Sequence, residues 1–211
     1  MNLENIKINF LGDSITFGAL ATTPEKSYLG LLQEKYPNSL FRRYGIGGSS
    51  IANQHVWEVA TFCQRAEEMD PDADAVVIFG GTNDFGTCVP LGTPEDRTED
   101  TFYGACFSLF RKILEQYPGK PVVVVTPLHR TFENAEEYQG RKLAAPLEEY
   151  VRILKETAKY FAFPVIDLYA TSGLQPAFDF ICEAYMPDGL HPNDAGHEIL
   201  FKKLDAALRL L

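Results

Sequence analysis

The sequence contains no run of lysine or arginine and no long apolar segment. The chain has 19 Lys and Arg residues and 29 Asp and Glu residues, so the formal net charge is −10 at pH 7. A nucleic-acid partner requires a basic patch, and none is expected here. No segment approaches the roughly 20 apolar residues of a membrane span, and residues 1–14 lack the basic start of a signal peptide. We therefore expect a cytoplasmic protein with no stable membrane association.

Cysteine is also scarce, with four residues that lie far apart along the chain. No pair has the CxxC spacing that is typical of zinc sites and redox motifs. We expect free thiols, mostly buried, rather than a disulfide framework or a metal site: Cys63, Cys88, Cys106 and Cys182.

What the sequence does contain is a repeated alternation of strand-like and helix-like segments. The continuous β-branched runs AVVIF and PVVVVT are typical of strands that are buried on both faces of a sheet. Five strands are predicted, at Lys7–Leu11, Ser39–Tyr44, Ala75–Phe79, Pro121–Thr126 and Phe163–Leu168. We therefore expect an α/β protein, one domain over residues 1–211, with a mostly parallel sheet and helices on both faces.

Apolar residues at helical spacing predict the helices between these strands. Trp57, the only tryptophan, falls inside one such pattern and is expected in the core or in an interface. The predicted helices are Tyr28–Tyr36, Ile51–Met69, Thr101–Tyr117, Leu143–Tyr160 and Ala195–Leu210.

Small and polar residues follow three of the predicted strands and precede the last helix. The segments are GDSITFG (12–18), YGIGGSS (44–50), GGTNDFG (80–86) and DGLHPNDAGH (188–197). In open parallel sheets, ligands bind outside the carboxyl ends of the strands. We expect all four segments to meet at that edge of the sheet.

The first and last segments contain the residue types of nucleophilic catalysis. Ser14 either caps the following helix or acts as a nucleophile, which then requires a base. Asp188 and His191 are three residues apart, so the carboxylate can orient the imidazole for proton transfer. The alternative is a surface histidine beside a helix N-terminus. His197 falls inside the helical pattern and is the poorer candidate.

The two middle segments contain hydrogen-bond donors for an oxyanion. Gly47 and Gly48 allow backbone N–H groups to approach a ligand closely, and Asn83 supplies a side-chain amide. Asp84 is placed to fix either the loop or the amide orientation. Each segment alone is explained by turn formation, but together they supply a nucleophile, a base, an orienting acid and oxyanion donors.

These four segments, in this order, resemble the four motif blocks of the SGNH hydrolases, also called GDSL esterases. The resemblance implies that Ser14 is the nucleophile and a backbone oxyanion donor, and that Asp188 and His191 complete a triad. It further implies an oxyanion role for Gly48, with Gly47 as the competing donor, and for the Asn83 amide.

The family's fold is a three-layer α/β/α sandwich of flavodoxin-like type, and its members use no metal or organic cofactor. Asp13 and Asp84 stand at supporting positions of the motifs. This sequence departs from the pattern in two places. Its first block reads GDSI rather than GDSL, and Arg43 and Tyr44 stand where an asparagine often precedes the glycine of the second block.

The loop after the fourth strand bears on the substrate. His129 and Arg130 are placed to contact an acyl or sugar group, or else to pair with acidic surface. Residues 89–100 are expected to form a pocket wall, and no long apolar lid is visible. We therefore expect a small-molecule ester substrate with a short acyl chain, such as an O-acetyl group, including acetyl groups on carbohydrate.

Four alternatives remain open from the sequence. A lysophospholipase or thioesterase-type acylhydrolase, and an acyltransferase, would use the same triad. A flavodoxin-like module that binds phosphate at GDSIT is the alternative that is not an enzyme. A metallophosphoesterase is disfavoured, because two-metal sites need several histidines and carboxylates together.

Overall fold

The five buried strands form one sheet in which every pairing is parallel. In the computed structural model, which describes residues 1–211, the strand order is β2-β1-β3-β4-β7. The strands are β1 (Lys7–Gly12), β2 (Leu40–Gly45), β3 (Ala75–Phe79), β4 (Val122–Val125) and β7 (Val165–Ile166). A separate two-stranded antiparallel hairpin contains β5 (Glu137–Tyr138) and β6 (Arg141–Lys142).

Helices cover both faces of this sheet. The longer ones are α2 (Tyr28–Lys35), α5 (Phe102–Gln116), α6 (Leu147–Tyr160) and α9 (Asp194–Leu210). The short ones are α1 (Ser14–Phe17), α3 (Phe62–Arg65), α4 (Thr82–Gly86), α7 (Leu168–Thr171) and α8 (Asp179–Tyr185), with 3-10 turns at Pro24–Lys26 and Ala66–Glu68. No helix combines the length and apolar character needed to span a bilayer.

Strand β3 explains why the molecule has three layers. Its side chains alternate between faces, as the pleat of a strand requires. Val76 and Ile78 join the buried cluster under α5 and α6. Val77 and Phe79 join the cluster under α2 and α9. Both faces of the strand are therefore apolar, and each needs its own layer of helices. The predicted α/β/α sandwich with a five-stranded sheet is confirmed.

The predicted helix over residues 51–69 is wrong for most of its length. Residues 51–61 form an irregular loop, and only Phe62–Arg65 are α-helical, followed by one 3-10 turn. Side chains take the backbone N–H groups that a helix would use. Gln54 Oε1 accepts from Val56 and Trp57, each at 2.8 Å. Thr61 then caps α3 by accepting from the Gln64 N–H.

The other predicted elements are found with small shifts at their ends. The fifth strand is shorter than predicted, since only Val165–Ile166 of the predicted 163–168 pair with β4. Helix α6 begins at Leu147 rather than at residue 143, directly after Pro146. All four cysteines are free, with Cys63 and Cys106 buried and the other two half-buried.

Candidate active site

The nucleophile candidate stands at the turn between β1 and α1. Asp13, not Ser14, caps this short helix, because its Oδ1 accepts the Ile15 N–H at 2.9 Å. Ser14 is the first residue of α1, and its hydroxyl is left free to face the cleft. The capping alternative for Ser14 is therefore wrong. Asp13 itself is buried, and burial raises its pKa to about 6.

Ser14, His191 and Asp188 form a continuous hydrogen-bonded line. Ser14 Oγ lies 2.9 Å from His191 Nε2, and His191 Nδ1 lies 2.6 Å from Asp188 Oδ2. His191 lies 177 positions after Ser14 along the chain, so only the fold brings the two residues together. This is the geometry in which an imidazole can take a proton from a hydroxyl.

The Asp188 carboxylate is held by its own loop. Its Oδ1 accepts the N–H groups of Leu190 at 2.9 Å and His191 at 2.7 Å. Partial burial acts to raise the pKa of Asp188, but the hydrogen bonds from His191 and Leu190 outweigh it and the pKa is lowered. The carboxylate therefore stays ionised at neutral pH. Thr131, which the sequence did not single out, anchors this loop by donating its N–H to the Gly189 carbonyl at 2.8 Å.

The candidate oxyanion donors line the same cleft as Ser14 and His191. Gly48 has a φ of +78°, a conformation that favours glycine. A Cβ on Gly47 would lie 4.0 Å from Ser14 Cβ, so this backbone passes close to the nucleophile. Asn83 Nδ2 donates to the Ser49 carbonyl at 2.9 Å. An amide nitrogen carries two protons, so one remains for a ligand.

Asp84 fixes the loop that follows these glycines. It is fully buried, and its two oxygens accept the N–H groups of Ile51 at 2.9 Å and Ala52 at 2.8 Å. Burial raises its pKa to about 7. Of the two roles expected for Asp84, the contacts support anchoring of the loop rather than orientation of the Asn83 amide.

Arg65 supports the site, and sequence reasoning missed it. Its guanidinium donates to the carbonyls of Tyr44 at 2.8 Å and Gly12 at 2.9 Å, and to Ser49 Oγ at 2.9 Å. Its Nε reaches the Ala60 carbonyl at 3.4 Å. The Tyr44 carbonyl lies where the second block lacks its usual asparagine, so Arg65 supplies support there. The sequence held no signal for this role, because Arg65 stands among Gln64, Glu67 and Glu68, which are typical of an exposed face.

The cleft around Ser14 has a volume of about 510 Å³. Trp57 lines it and is 37% exposed, so it does not lie in the core. The ring packs against the backbone at Gly48, where an added Cβ would lie 3.3 Å from it. Tyr138 of the hairpin also lines the cleft, whereas no residue of the 89–100 loop does.

His129 and Arg130, the two candidate substrate contacts after β4, have different surroundings. Arg130 is buried and lines the cleft. His129 does not line it; the ring pairs with Glu133 at 2.9 Å and packs on Tyr169 with centroids 3.9 Å apart. His197 lies inside helix α9, as expected. Its side chain is buried, and burial lowers its pKa.

The GDSL-like lipase/acylhydrolase family model matches residues 10–199. Because the match spans most of the chain, the protein belongs to this family. It is therefore an ester hydrolase, and the alternatives of a phosphate-binding module and a metallophosphoesterase fall away. The chain has no significant match among curated proteins.

Solved structures share the fold over the full chain. One is 32% identical, covers 100% of this chain and 99% of its own, and superposes with a TM-score of 0.89. A protein from Lactobacillus plantarum is 27% identical over 99% of this chain and 98% of its own, with a TM-score of 0.87. A two-domain esterase active on acetylated mannans is 24% identical with a TM-score of 0.66; the match covers 98% of this chain and 49% of that one.

Proposed function

We propose that the protein is a serine esterase that cleaves short-chain carboxylic esters, mainly O-acetyl groups, including those on carbohydrate. Ser14, His191 and Asp188 form its triad. The observation that carries the proposal is the hydrogen-bonded line from Ser14 Oγ through the His191 ring to Asp188 Oδ2, with distances of 2.9 and 2.6 Å. The acting unit is one SGNH hydrolase domain over residues 1–211.

The reaction starts when Ser14 Oγ attacks the ester carbonyl and passes its proton to His191 Nε2. Asp188 stabilises the imidazolium through Nδ1. The negative charge on the tetrahedral intermediate is held by the N–H groups of Ser14 and Gly48, with Gly47 shaping that loop, and by the Asn83 amide. His191 then returns the proton to the departing alcohol, which leaves an acyl-Ser14 ester.

A second half-reaction releases the acyl group. Water loses a proton to His191 as it attacks the acyl-enzyme, and the collapse of the second intermediate returns the proton to Ser14 Oγ. An acyltransferase would use an alcohol in place of water, and a thioesterase or lysophospholipase would differ only in the leaving group. The same residues would serve each reaction.

The size and lining of the cleft favour short acyl chains. It is open, about 510 Å³ in volume, and lined by polar groups as well as by Phe17, Trp57 and Leu190. Arg130 is the proposed substrate contact. His129 contributes indirectly, since its partner Glu133 also accepts the Arg130 N–H at 3.3 Å. Structural neighbours that include an esterase active on acetylated mannans and an acetyl xylan esterase lend support to acetyl substrates. The cytoplasmic location stays a prediction.

The test is a series of 4-nitrophenyl esters from acetate to palmitate. We expect kcat/KM to be highest for acetate and to fall with chain length. The Ser14→Ala variant should lose turnover at every length. Ser108→Ala, the same change on helix α5, should keep it and serves as the matched control. A maximum at long chains would move the proposal to a lipid substrate.

A further inference from the structure

The Arg130 guanidinium is a buried charge with few partners. The residue is 4% exposed, and its only side-chain hydrogen bonds run from Nη1 to the Thr82 carbonyl at 3.2 Å and to Thr82 Oγ1 at 3.3 Å. Nε is buried without any acceptor. No carboxylate lies within ion-pair distance, although arginines elsewhere, such as Arg42 and Arg152, pair with acidic residues.

A buried guanidinium with few acceptors destabilises the fold unless a ligand supplies the missing acceptors. Burial lowers the pKa of Arg130, because the charged form loses water, while Tyr138 and the more distant Asp188 and Asp13 act in the opposite direction. A guanidinium offers five N–H donors in a planar fork that matches a carboxylate. Thr82 engages only one of its three nitrogens, so donors remain for an anion.

The surroundings hold this fork in place beside the nucleophile. The guanidinium carbon lies 5.3 Å from the ring centre of Phe85 and 5.1 Å from that of Tyr138. Gly86 makes room for it, since a Cβ there would lie 3.2 Å from Nη1. Arg130 and Gly86 line the same cleft as Ser14.

We propose that Arg130 recognises a carboxylate or similar oxyanion on the substrate, so that the preferred esters are anionic. The inference rests on the proposed esterase function and names the substrate class of that site. The anion stands either on the acyl part or on the alcohol part of the ester. It completes the Arg130 hydrogen bonds when the ester carbonyl is beside Ser14.

Two pairs of matched esters test the proposal and locate the anion. The alcohol-side pair is 4-acetoxybenzoate and 4-acetoxybenzamide. The acyl-side pair is the mono-4-nitrophenyl ester of adipic acid and its terminal carboxamide. In one pair we expect kcat/KM to be about tenfold or more higher for the anion, as for a hydrogen bond to a charged group. The ratio within a pair is independent of the fraction of active protein.

Three variants separate recognition by Arg130 from general charge effects. Arg130→Gln should reduce the anion preference to about one. Arg130→Lys keeps the charge without the planar fork and should retain only part of the preference. Arg111→Gln removes a charge from the exposed face of α5 and should leave the preference unchanged. A ratio near one in both wild-type pairs, or a ratio that survives Arg130→Gln, would overturn the proposal.

A binding measurement keeps this result separate from the esterase proposal. Titration calorimetry of Ser14→Ala with 4-acetoxybenzoate and with the adipate monoester needs no turnover. We expect one of them to bind at least about tenfold more weakly when Arg130→Gln is added, and equally well when Arg111→Gln is added. Absence of 4-nitrophenyl acetate hydrolysis by the wild type would reject the esterase. Anion binding that ignores Arg130 would reject this inference alone.

Discussion

Arg65 and Arg130 are both buried arginines beside the catalytic cleft, and their hydrogen bonding differs sharply. Arg65 is 3% exposed and donates to four oxygens from separate segments of the chain. Arg130 is 4% exposed, and its guanidinium donates only to Thr82. Neither has a carboxylate at ion-pair distance. The same residue type, buried to the same degree, thus has acceptors at all three guanidinium nitrogens in one place and at only one of them in the other.

This difference in hydrogen bonding separates an arginine that supports the fold from one that can recognise a ligand. A guanidinium that has an acceptor at each of its three nitrogens holds loops in one arrangement. One with unused donors in a cleft is prepared for an anion from outside. Burial lowers the pKa of Arg65 and of Arg130, and the Asp13 charge acts against that lowering at both. Variants at and around the two arginines should therefore have different effects.

The largest effect is expected from Ser14→Ala, which removes the hydroxyl from the cleft that Arg130 also lines. Turnover of 4-nitrophenyl acetate should fall about 10⁴-fold or more, because loss of a triad nucleophile leaves only binding and oxyanion stabilisation. Circular dichroism should be unchanged. This variant sets the background rate against which the arginine variants are measured. Near-normal turnover would reject Ser14 as nucleophile.

Arg65→Met should cause the largest loss of stability. Four oxygens lose a charged donor, and a buried acceptor without a partner is costly. We expect the free energy of unfolding to fall by roughly 3–5 kcal/mol, measured by denaturation in urea. Turnover should fall as well, because the Ser49 loop that holds the Asn83 amide loses its anchor. A stability loss below about 1 kcal/mol would show that these bonds are dispensable.

Asn83→Ala probes a residue that lies between the hydrogen bonds of Arg65 and those of Arg130. Its side chain bonds to Ser49, which Arg65 holds, and Arg130 bonds to the preceding residue, Thr82. Loss of one oxyanion donor should lower kcat about 10²–10³-fold with a small change in KM. Asn53→Ala, whose amide donates to Asp100 at the surface, is the control. An increase in KM with kcat unchanged would place Asn83 in substrate binding instead.

Asp13→Asn tests the charge that the two arginines share. Burial raises the pKa of Asp13 to about 6 from 3.8. The folded protein therefore binds more protons than the unfolded chain between about pH 4 and pH 6, and its stability falls as pH rises through that window. The effect has an upper limit of about 3 kcal/mol.

The measurement is the difference in unfolding free energy between wild type and Asp13→Asn at each pH. We expect wild type to lose stability relative to the variant from pH 4 to pH 6, with little further change above pH 7. His197 titrates in both proteins, so its contribution cancels in the difference. The Asp13 charge also helps to raise the pKa of Asp84, so its loss in the variant adds to the relative loss of wild-type stability up to about pH 7. A relative gain in wild-type stability over this range would contradict the raised pKa.

The smallest effect on stability is expected from Arg130→Met. The substitution removes a buried charge that has an unpartnered Nε, and an apolar replacement for such a group is often neutral or stabilising. The free energy of unfolding should change by no more than about 1 kcal/mol. A loss as large as that of Arg65→Met would mean that Arg130 also serves as structural support.

The sequence was a good guide where short-range signals act. Strand β3 was placed at its observed ends because a β-branched run has one stable place in this fold, buried between two layers. The segments with Ser14, Asn83 and His191 were placed at one edge because parallel strands present their carboxyl ends together. These expectations depend on residue patterns in short segments and on the general rule for the carboxyl ends of parallel strands, and both can be applied to the sequence alone.

Other features were decided only by tertiary contacts. Residues 51–61 have helical spacing but form a loop, because Asp84 and Gln54 take the N–H groups of their backbone. That loop brings Trp57 to the cleft rather than to the core. The difference between Arg65, which donates to oxygens of four residues, and Arg130, whose guanidinium donates to one residue, has the same origin. The residue type determines how many donors a guanidinium has, whereas only the folded chain decides how many acceptors come within reach.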